Sequence, residues 1–302
     1  MKVCFICNPE SGSGKITSYL TWIEEEFKKY DHEITLYKTE KKKDAYHQAL
    51  LTSSYDMVLV AGGDGTLNEV INGVMELEKK PVIAYIPTGT VNDVGHLIGM
   101  KKRVKKTIKI ILRKPVVKEL DICKINDKYF VYVAAAGKFT KSSYDISRKS
   151  KKYLGRTAYF LRGSKELFKD YNIPIKVTSN IKVYEETSAL ILIMNGRRIG
   201  GLSLYNLKNK LDDGLMSLRS FKRERFMFLR VMLFFMTGGL YDTRKNRTFR
   251  DSYFKIETND DVSWNIDGEY MGKGSIEVKV VPRAVKFIVN KRKLKRSFVK
   301  EK

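Results

Sequence analysis

Read for the spacing of its apolar positions, the chain falls into two parts. Up to about residue 115, short apolar runs alternate with amphipathic stretches. KVCFIC (2–7) precedes a predicted helix over 15–29, EITLYKT (33–39) one over 42–53, DMVLVAGG (56–63) one over 67–78, and PVIAYIP (81–87) one over 91–112. Brief apolar runs that end in turn residues and lead into segments of helical period are strand–helix units. Four in succession predict a parallel sheet with its strand-to-helix turns along one edge, which is where ligands of such sheets bind.

After RKPVVKELD the pattern changes. DICKI, KYFVYVAAAG, PIKVTS, IKVYEETSALILIMN, GLMSLRSF, YFKIET, VSWNIDGEY and SIEVKVVP are strand-like runs joined by turns such as IND and TSN. They predict a mainly antiparallel β-sandwich domain with two helical insertions, 154–171 and 223–237, the second stopped by Gly238-Gly239. The expected architecture is α/β: an N-terminal parallel-sheet nucleotide-binding domain over 1–118, a β-rich domain over 119–290, and a basic C-terminal tail, 291–302, packing back on the first. A linker is expected near 114–121.

With 302 residues, 43% of them hydrophobic, both domains can bury a core. Met1-Lys2 leads into only about five apolar residues before Asn8-Pro9, so no signal peptide is expected. The longest apolar stretch, FMFLRVMLFFM (226–236), is about half a membrane span and carries Arg230. Three cysteines suit a reducing compartment. Cys4 and Cys7 form a C-x-x-C, but without a second ligand pair they read as buried core rather than a redox or metal site.

Charge changes the picture more. The chain carries 58 Lys+Arg against 34 Asp+Glu, a net +24, with clusters at 101–106, 147–156, 221–226 and 290–296. Such a field draws nucleic acid, an anionic membrane surface or a phosphorylated substrate, or is simply a set of solvated faces. No RNA- or DNA-binding motif accompanies it, so a nucleic-acid partner is not expected.

Candidate chemistry sits in the turns. NPESGSGKIT (8–17) has the look of a Walker A loop, yet aligning Gly14-Lys15 puts Pro9 at the first glycine and Ile16 at the hydroxyl position, so two required positions fail. GGDGT (62–66) places three glycines in four residues between strand and helix. It is expected to use positive φ and close backbone approach to cradle phosphate. Asp64 within it needs a cation or a reacting hydroxyl beside it, unless it is a cap or turn residue. IPTGTVND (86–93) repeats the theme with Gly89, Thr90, Asn92 and Asp93.

NPESGSG, GGDGTLNEVINGV and PTGTVNDVGHLIGM, in this order, resemble the diacylglycerol kinase catalytic-domain family, bacterial lipid kinases related to sphingosine kinases. LDDGLMSL and NIDGEYMG match its later blocks, so the resemblance spans essentially the whole chain. It implies an ATP-dependent kinase acting on the hydroxyl of diacylglycerol or a similar lipid, with Mg2+. The implied nucleotide contacts are Asn8, Pro9, Glu10, Ser11, Gly12, Thr39, Gly63, Asp64, Gly65, Thr66, Leu67, Asn68, Glu69, Thr90 and Asn92. Glu269 in DGEY falls at the family's general base, and Asp64 is taken with it as catalytic. Lys210 and Leu215, through carbonyls, and Asp213, through its carboxylate, match a structural magnesium site, with Asp93 joining through water. The sequence departs at Val94 and His96, where the family carries Phe and Arg on either side of a small residue, here Gly95; loss of the arginine removes a fixed phosphate donor which a basic cluster would have to replace. A lipid partner, an anionic membrane surface, a cytoplasmic and reversibly membrane-associated location, and a homodimer among the open assemblies complete the expectation.

Overall fold

A computed structural model describes residues 1–137, 172–223, 227–241 and 247–300. The predicted helix 154–171 and the basic cluster 147–156 lie outside them. The chain folds as two compact units: Met1–Asp121 together with the chain from Pro282 onward, and Ile122–Val281. The sequence put the boundaries at 118 and 290.

In the first unit β1 (Lys2–Cys7), β2 (Glu33–Lys38), β3 (Met57–Gly62) and β4 (Val82–Pro87) run parallel in the order β2-β1-β3-β4. Val3–Cys7 and all of β3 are buried, as expected of parallel strands covered on both faces. The helices are α1 (Leu20–Lys28), α2 (Asp44–Leu50), α3 (Asp64–Met75), α4 (Asp93–Ile98) and α5 (Val104–Arg113). On α3, Leu67, Val70, Ile71 and Val74 form a buried stripe at helical spacing. The Cys4 and Cys7 thiols are inside the sheet, and burial pushes Cys7 up to about 11.

Three elements differ from expectation. The helix predicted over 15–29 opens as a 3-10 turn, Lys15–Tyr19, and becomes α-helical at Leu20. The helix predicted over 91–112 is two helices, because Gly99 adopts φ 81 and closes α4, with Met100 N–H donating to Gly95 O at 2.8 Å. The expected linker is strand β5 (Val116–Ile125).

The second unit is antiparallel. It contains β6 (Lys128–Phe130), β7 (Val133–Gly137), β8 (Ile173–Ser179), β9 (Val183–Met194), the small pair β10 (Arg198–Ile199) and β11 (Leu202–Ser203), β12 (Met216–Lys222), β13 (Arg247–Asp251), β14 (Tyr253–Glu257), β15 (Ser263–Ile266) and β16 (Glu269–Lys273). The twelve-residue β9 is its spine, pairing with β8 through its first half and with β7 and β12 through its second. Phe130, Ile191, Ile193, Leu218, Phe254 and Trp264 pack in the core between its layers. Helix α6 (Met227–Met236) buries Val231 and Phe234 while Leu229 and Met236 stay exposed.

The last strand, β17 (Ile276–Val289), begins in the second unit, antiparallel to β14, and ends in the first, where Phe287 lies parallel opposite Ile83 of β4. The residues after it fold onto the first unit. Asn290 N–H donates to Ile98 O at 2.9 Å, and in the short helix α7 (Leu294–Ser297) the Ser297 hydroxyl donates to Leu97 O at 2.7 Å.

Candidate active site

The parallel register aligns the ends of the first four strands, and the segments leaving them are stitched together. Asn8 N–H donates to Ala61 O (2.8 Å), Thr39 N–H to Cys7 O (2.9 Å) and Thr88 N–H to Gly62 O (2.8 Å). Asn8 Nδ2 reaches Thr66 Oγ1 at 3.1 Å, and Asn8 Oδ1 accepts from Glu10 N–H at 3.1 Å. Gly12, at φ 63, passes so close to Thr88 that a Cβ there would lie 2.0 Å from its carbonyl oxygen. The loop Asn8–Gly12, Thr39, the GGDGT turn and the TGTVND turn thus share one edge of one sheet. The loop at 8–14 leads into a 3-10 turn, Lys15–Tyr19, rather than the α-helix of a Walker A motif.

The glycines of GGDGT work differently from the expectation. None of Gly62, Gly63 and Gly65 has a positive φ; Gly63 is extended, with φ −88° and ψ −177°. At Gly62 the requirement is packing within the turn, where a Cβ would stand 2.5 Å from Thr66 Cβ, and between the turns it falls on Gly89. A Cβ on Gly89 would stand 2.6 Å from Gly63 Cα and 2.8 Å from Asn92 Oδ1. The positive φ belongs to Asn92, at 57°.

Asp64 begins α3, and its carboxylate accepts from the Asp93 and Val94 N–H groups at 3.0 and 3.3 Å, so one turn's acid holds the N-terminus of α4. Tyr85, fully buried in β4, links the same turns: its hydroxyl donates toward Gly62 O at 3.1 Å and Asn92 Oδ1 at 3.3 Å, while Asn92 Nδ2 donates to Gly89 O at 2.7 Å. Burial, then the charges of Asp64 and Asp93, push the Tyr85 pKa well above its ordinary value, so the O–H persists as a donor. Sequence reasoning passed over Tyr85; the signal was one hydroxyl-bearing ring in the aliphatic run VIAYIP.

The remaining expected contacts are more varied. Leu67 points into the core, so only its backbone remains for a ligand. Glu69 Oε1 accepts from Lys43 N–H at 3.1 Å, bracing the start of α2. Asn68 Oδ1 accepts from Asn72 Nδ2 at 3.1 Å. Pro9, Ser11 and Gly65 lie on the edge with their neighbours. Thr90 is exposed, and Lys102 Nζ donates to its carbonyl at 2.6 Å, which brings a cation from the 101–106 cluster to the second turn. His96 is exposed, while Asp93 and Val94 are buried.

In the second unit, Asp267 (φ 49°) and Gly268 (φ 93°) make the two-residue turn of a hairpin, and Glu269 opens β16 with its side chain exposed. Asp267 itself is buried; its carboxylate accepts the N–H groups of Val131, Tyr132 and Val133 at 2.7, 3.1 and 3.1 Å. That fixes the turn from which Glu269 projects. Asp267→Ala would strand three buried donors, and denaturant unfolding should show a loss of about 3 kcal/mol.

Lys210, Asp213 and Leu215 surround one tight turn, but the contacts are those of a closed loop. Asp213 Oδ2 accepts from Lys210 N–H at 3.0 Å, Oδ1 accepts from Leu215 N–H at 3.1 Å, and the Arg250 guanidinium sits 2.5 Å from Oδ2. Arg250 carries no sequence signal. With a guanidinium on the carboxylate, this turn as it stands does not fit a magnesium ion. Among the described residues no three His, Cys, Asp or Glu side chains gather as a metal site.

Residues 2–125 match the family described as Diacylglycerol kinase catalytic domain, and residues 139–289 match the YegS C-terminal NAD kinase beta sandwich-like domain. A protein of Staphylococcus carnosus named diacylglycerol kinase is 31% identical over 271 residues, covering 89% of this chain and 88% of that one. One of Bacillus subtilis with the same name is 28% identical, covering 88% and 89%. A Bacillus anthracis crystal structure superposes with a TM-score of 0.83 at 26% identity over 96% of both chains. A crystal structure of a diacylglycerol kinase from the same organism, at 23% identity and a TM-score of 0.75, shares the fold. The order of the glycine turns, the parallel edge that carries them and the likeness along nine-tenths of its length agree: the chain belongs to the diacylglycerol kinase family.

Proposed function

We propose that this kinase transfers the γ-phosphate of ATP to the hydroxyl of a diacylglycerol, giving phosphatidic acid. The carrying observation is the convergence of two glycine turns on one sheet edge, Gly89 packed on Gly63, with Asp64, Tyr85 and Asn92 locking them together. Backbone N–H groups at such an edge are suited to hold phosphates, and a divalent cation bound with ATP spreads their charge. In this reading Asn8–Gly12, Thr39, Gly63–Glu69, Thr90 and Asn92 receive the nucleotide. Lys102, beside Thr90, supplies the positive charge that His96 lacks. Glu269 takes the proton of the acceptor hydroxyl.

Purified protein given labelled ATP and diacylglycerol in mixed micelles should make labelled phosphatidic acid. Transfer to a sphingoid base or to a water-soluble alcohol in its place would overturn the substrate assignment. The exchange of arginine for exposed His96 favours a second reading, a weakly active nucleotide-binding regulator, which predicts ATP affinity without product.

Such an enzyme must reach a bilayer, and no helix among the described residues is long and apolar enough to cross one. Lys101, Arg103, Lys105 and Lys106 are exposed, and each basic side chain near an anionic surface contributes about 1 kcal/mol. Vesicle sedimentation should show binding that rises with anionic lipid and falls with salt, and neutralising these four should weaken it. Lys102 is left intact so that nucleotide contacts are undisturbed. Equal binding to neutral vesicles at every ionic strength would sink electrostatic docking.

A further inference from the structure

The turn that resembles the family's magnesium site is already neutralised from within the chain. Asp213 and Arg250 form an ion pair at 2.5 Å, with side chains 14% and 31% exposed. Arg250 is delivered by strand register: β13 pairs antiparallel with β12, Arg250 stands opposite Ser217, and the chain entering β12 is the 210–215 turn itself. The other donors on the carboxylate are backbone N–H groups fixed by the turn, where Gly214 takes φ 70. Both oxygens therefore hold donors, and one holds a full positive charge.

A magnesium ion needs near-octahedral oxygen ligands at about 2.0–2.1 Å and sheds its water reluctantly. Its approach to Oδ2 would bring two like charges onto one oxygen and would leave a partly buried guanidinium without its counter-ion. Arg250 is tethered, so it contributes its charge without an association cost. We propose that Arg250 is the resident cation of this turn: it takes the place of a structural divalent ion, and the Mg2+ requirement of this chain is that of its nucleotide alone. The inference rests on the second unit only and holds whichever lipid is the acceptor.

Nucleotide-free protein tests it without catalysis. Wild type should unfold at the same temperature in EDTA and in millimolar Mg2+, and should carry no stoichiometric Mg2+ by plasma mass spectrometry after buffer exchange. Arg250→Met should unfold earlier and recover about 3 °C on adding Mg2+, because Asp213 then accepts the ion. That recovery should vanish in Arg250→Met/Asp213→Asn. Stabilisation of wild type by Mg2+ that Asp213→Asn abolishes, or one retained Mg2+ per wild-type chain, would overturn the proposal. So would an Arg250→Met protein that ignores the ion. Should Arg250→Met fail to fold, the wild-type metal content and melting still decide.

Discussion

Glu269→Gln is expected to lower kcat by roughly 10²-fold or more while leaving the fold and the ATP affinity as they are. The amide keeps the shape of the side chain and loses only the capacity to take a proton. The side chain is exposed on the first residue of β16, so the swap disturbs no core packing. The neighbouring acid behaves differently: Asp267 is buried on three backbone N–H groups, so its loss should appear in unfolding curves, whereas Glu269→Gln should leave them unchanged. Steady-state kinetics with labelled ATP, alongside calorimetric ATP binding, separates these outcomes. Turnover near wild type in Glu269→Gln would remove it from the role of base.

Gly89→Ala should cost on the order of 10²-fold in kcat/KM, the penalty for misplacing a reacting group by about an ångström. The added methyl would meet backbone, with Gly63 Cα at 2.6 Å, so the two turns must separate. Gly63→Ala is the informative contrast. Its Cβ would find Gly89 Cα at 3.5 Å and Ser11 Oγ at 3.7 Å, ordinary contacts that the chain itself tolerates. Loss of ATP affinity in Gly63→Ala without loss of thermal stability would therefore report the phosphate's own approach to the backbone. ATP affinity unchanged in Gly89→Ala would show that these turns hold something else.

Most strands, their parallel and antiparallel grouping and the placement of the glycine turns were legible because each rests on local chemistry: apolar period, glycine clusters and Asp-Gly turns. The short β10 and β11 and the polar β13 were not among the runs read as strands. What escaped depends on distant partners. Nothing local shows that a Cβ at Gly89 would strike Gly63, or that Asp64 would spend its carboxylate on α4. Tyr85 read as strand filling, and its two hydrogen bonds exist only once β3 and β4 are side by side. Asp213 showed its acidity but not its partner, since Arg250 is 37 residues away and arrives through β-register. The segment 114–121 read as a linker because the pattern changes there, yet most of it belongs to β5, which pairs with the adjacent β6 and with β17, a strand about 150 residues on.

The path of β17 bears on how the molecule comes off the ribosome. The first unit's sheet is flanked by Phe287 opposite Ile83, and α4 is tied down by Asn290 and Ser297. Between Asp121 and Pro282 the ribosome must translate the whole of the other unit, Ile122–Val281. At 5–20 residues per second, that stretch takes roughly 8 to 32 s. Throughout it, β4 has an unpaired apolar flank and α4 lacks its anchor, while the inserted unit emerges with all its strands contiguous and free to close. The part of the protein made first is thus finished last: the flank of β4 at Ile83 and the C-terminal end of α4 at Leu97 and Ile98 wait for Phe287, Asn290 and Ser297.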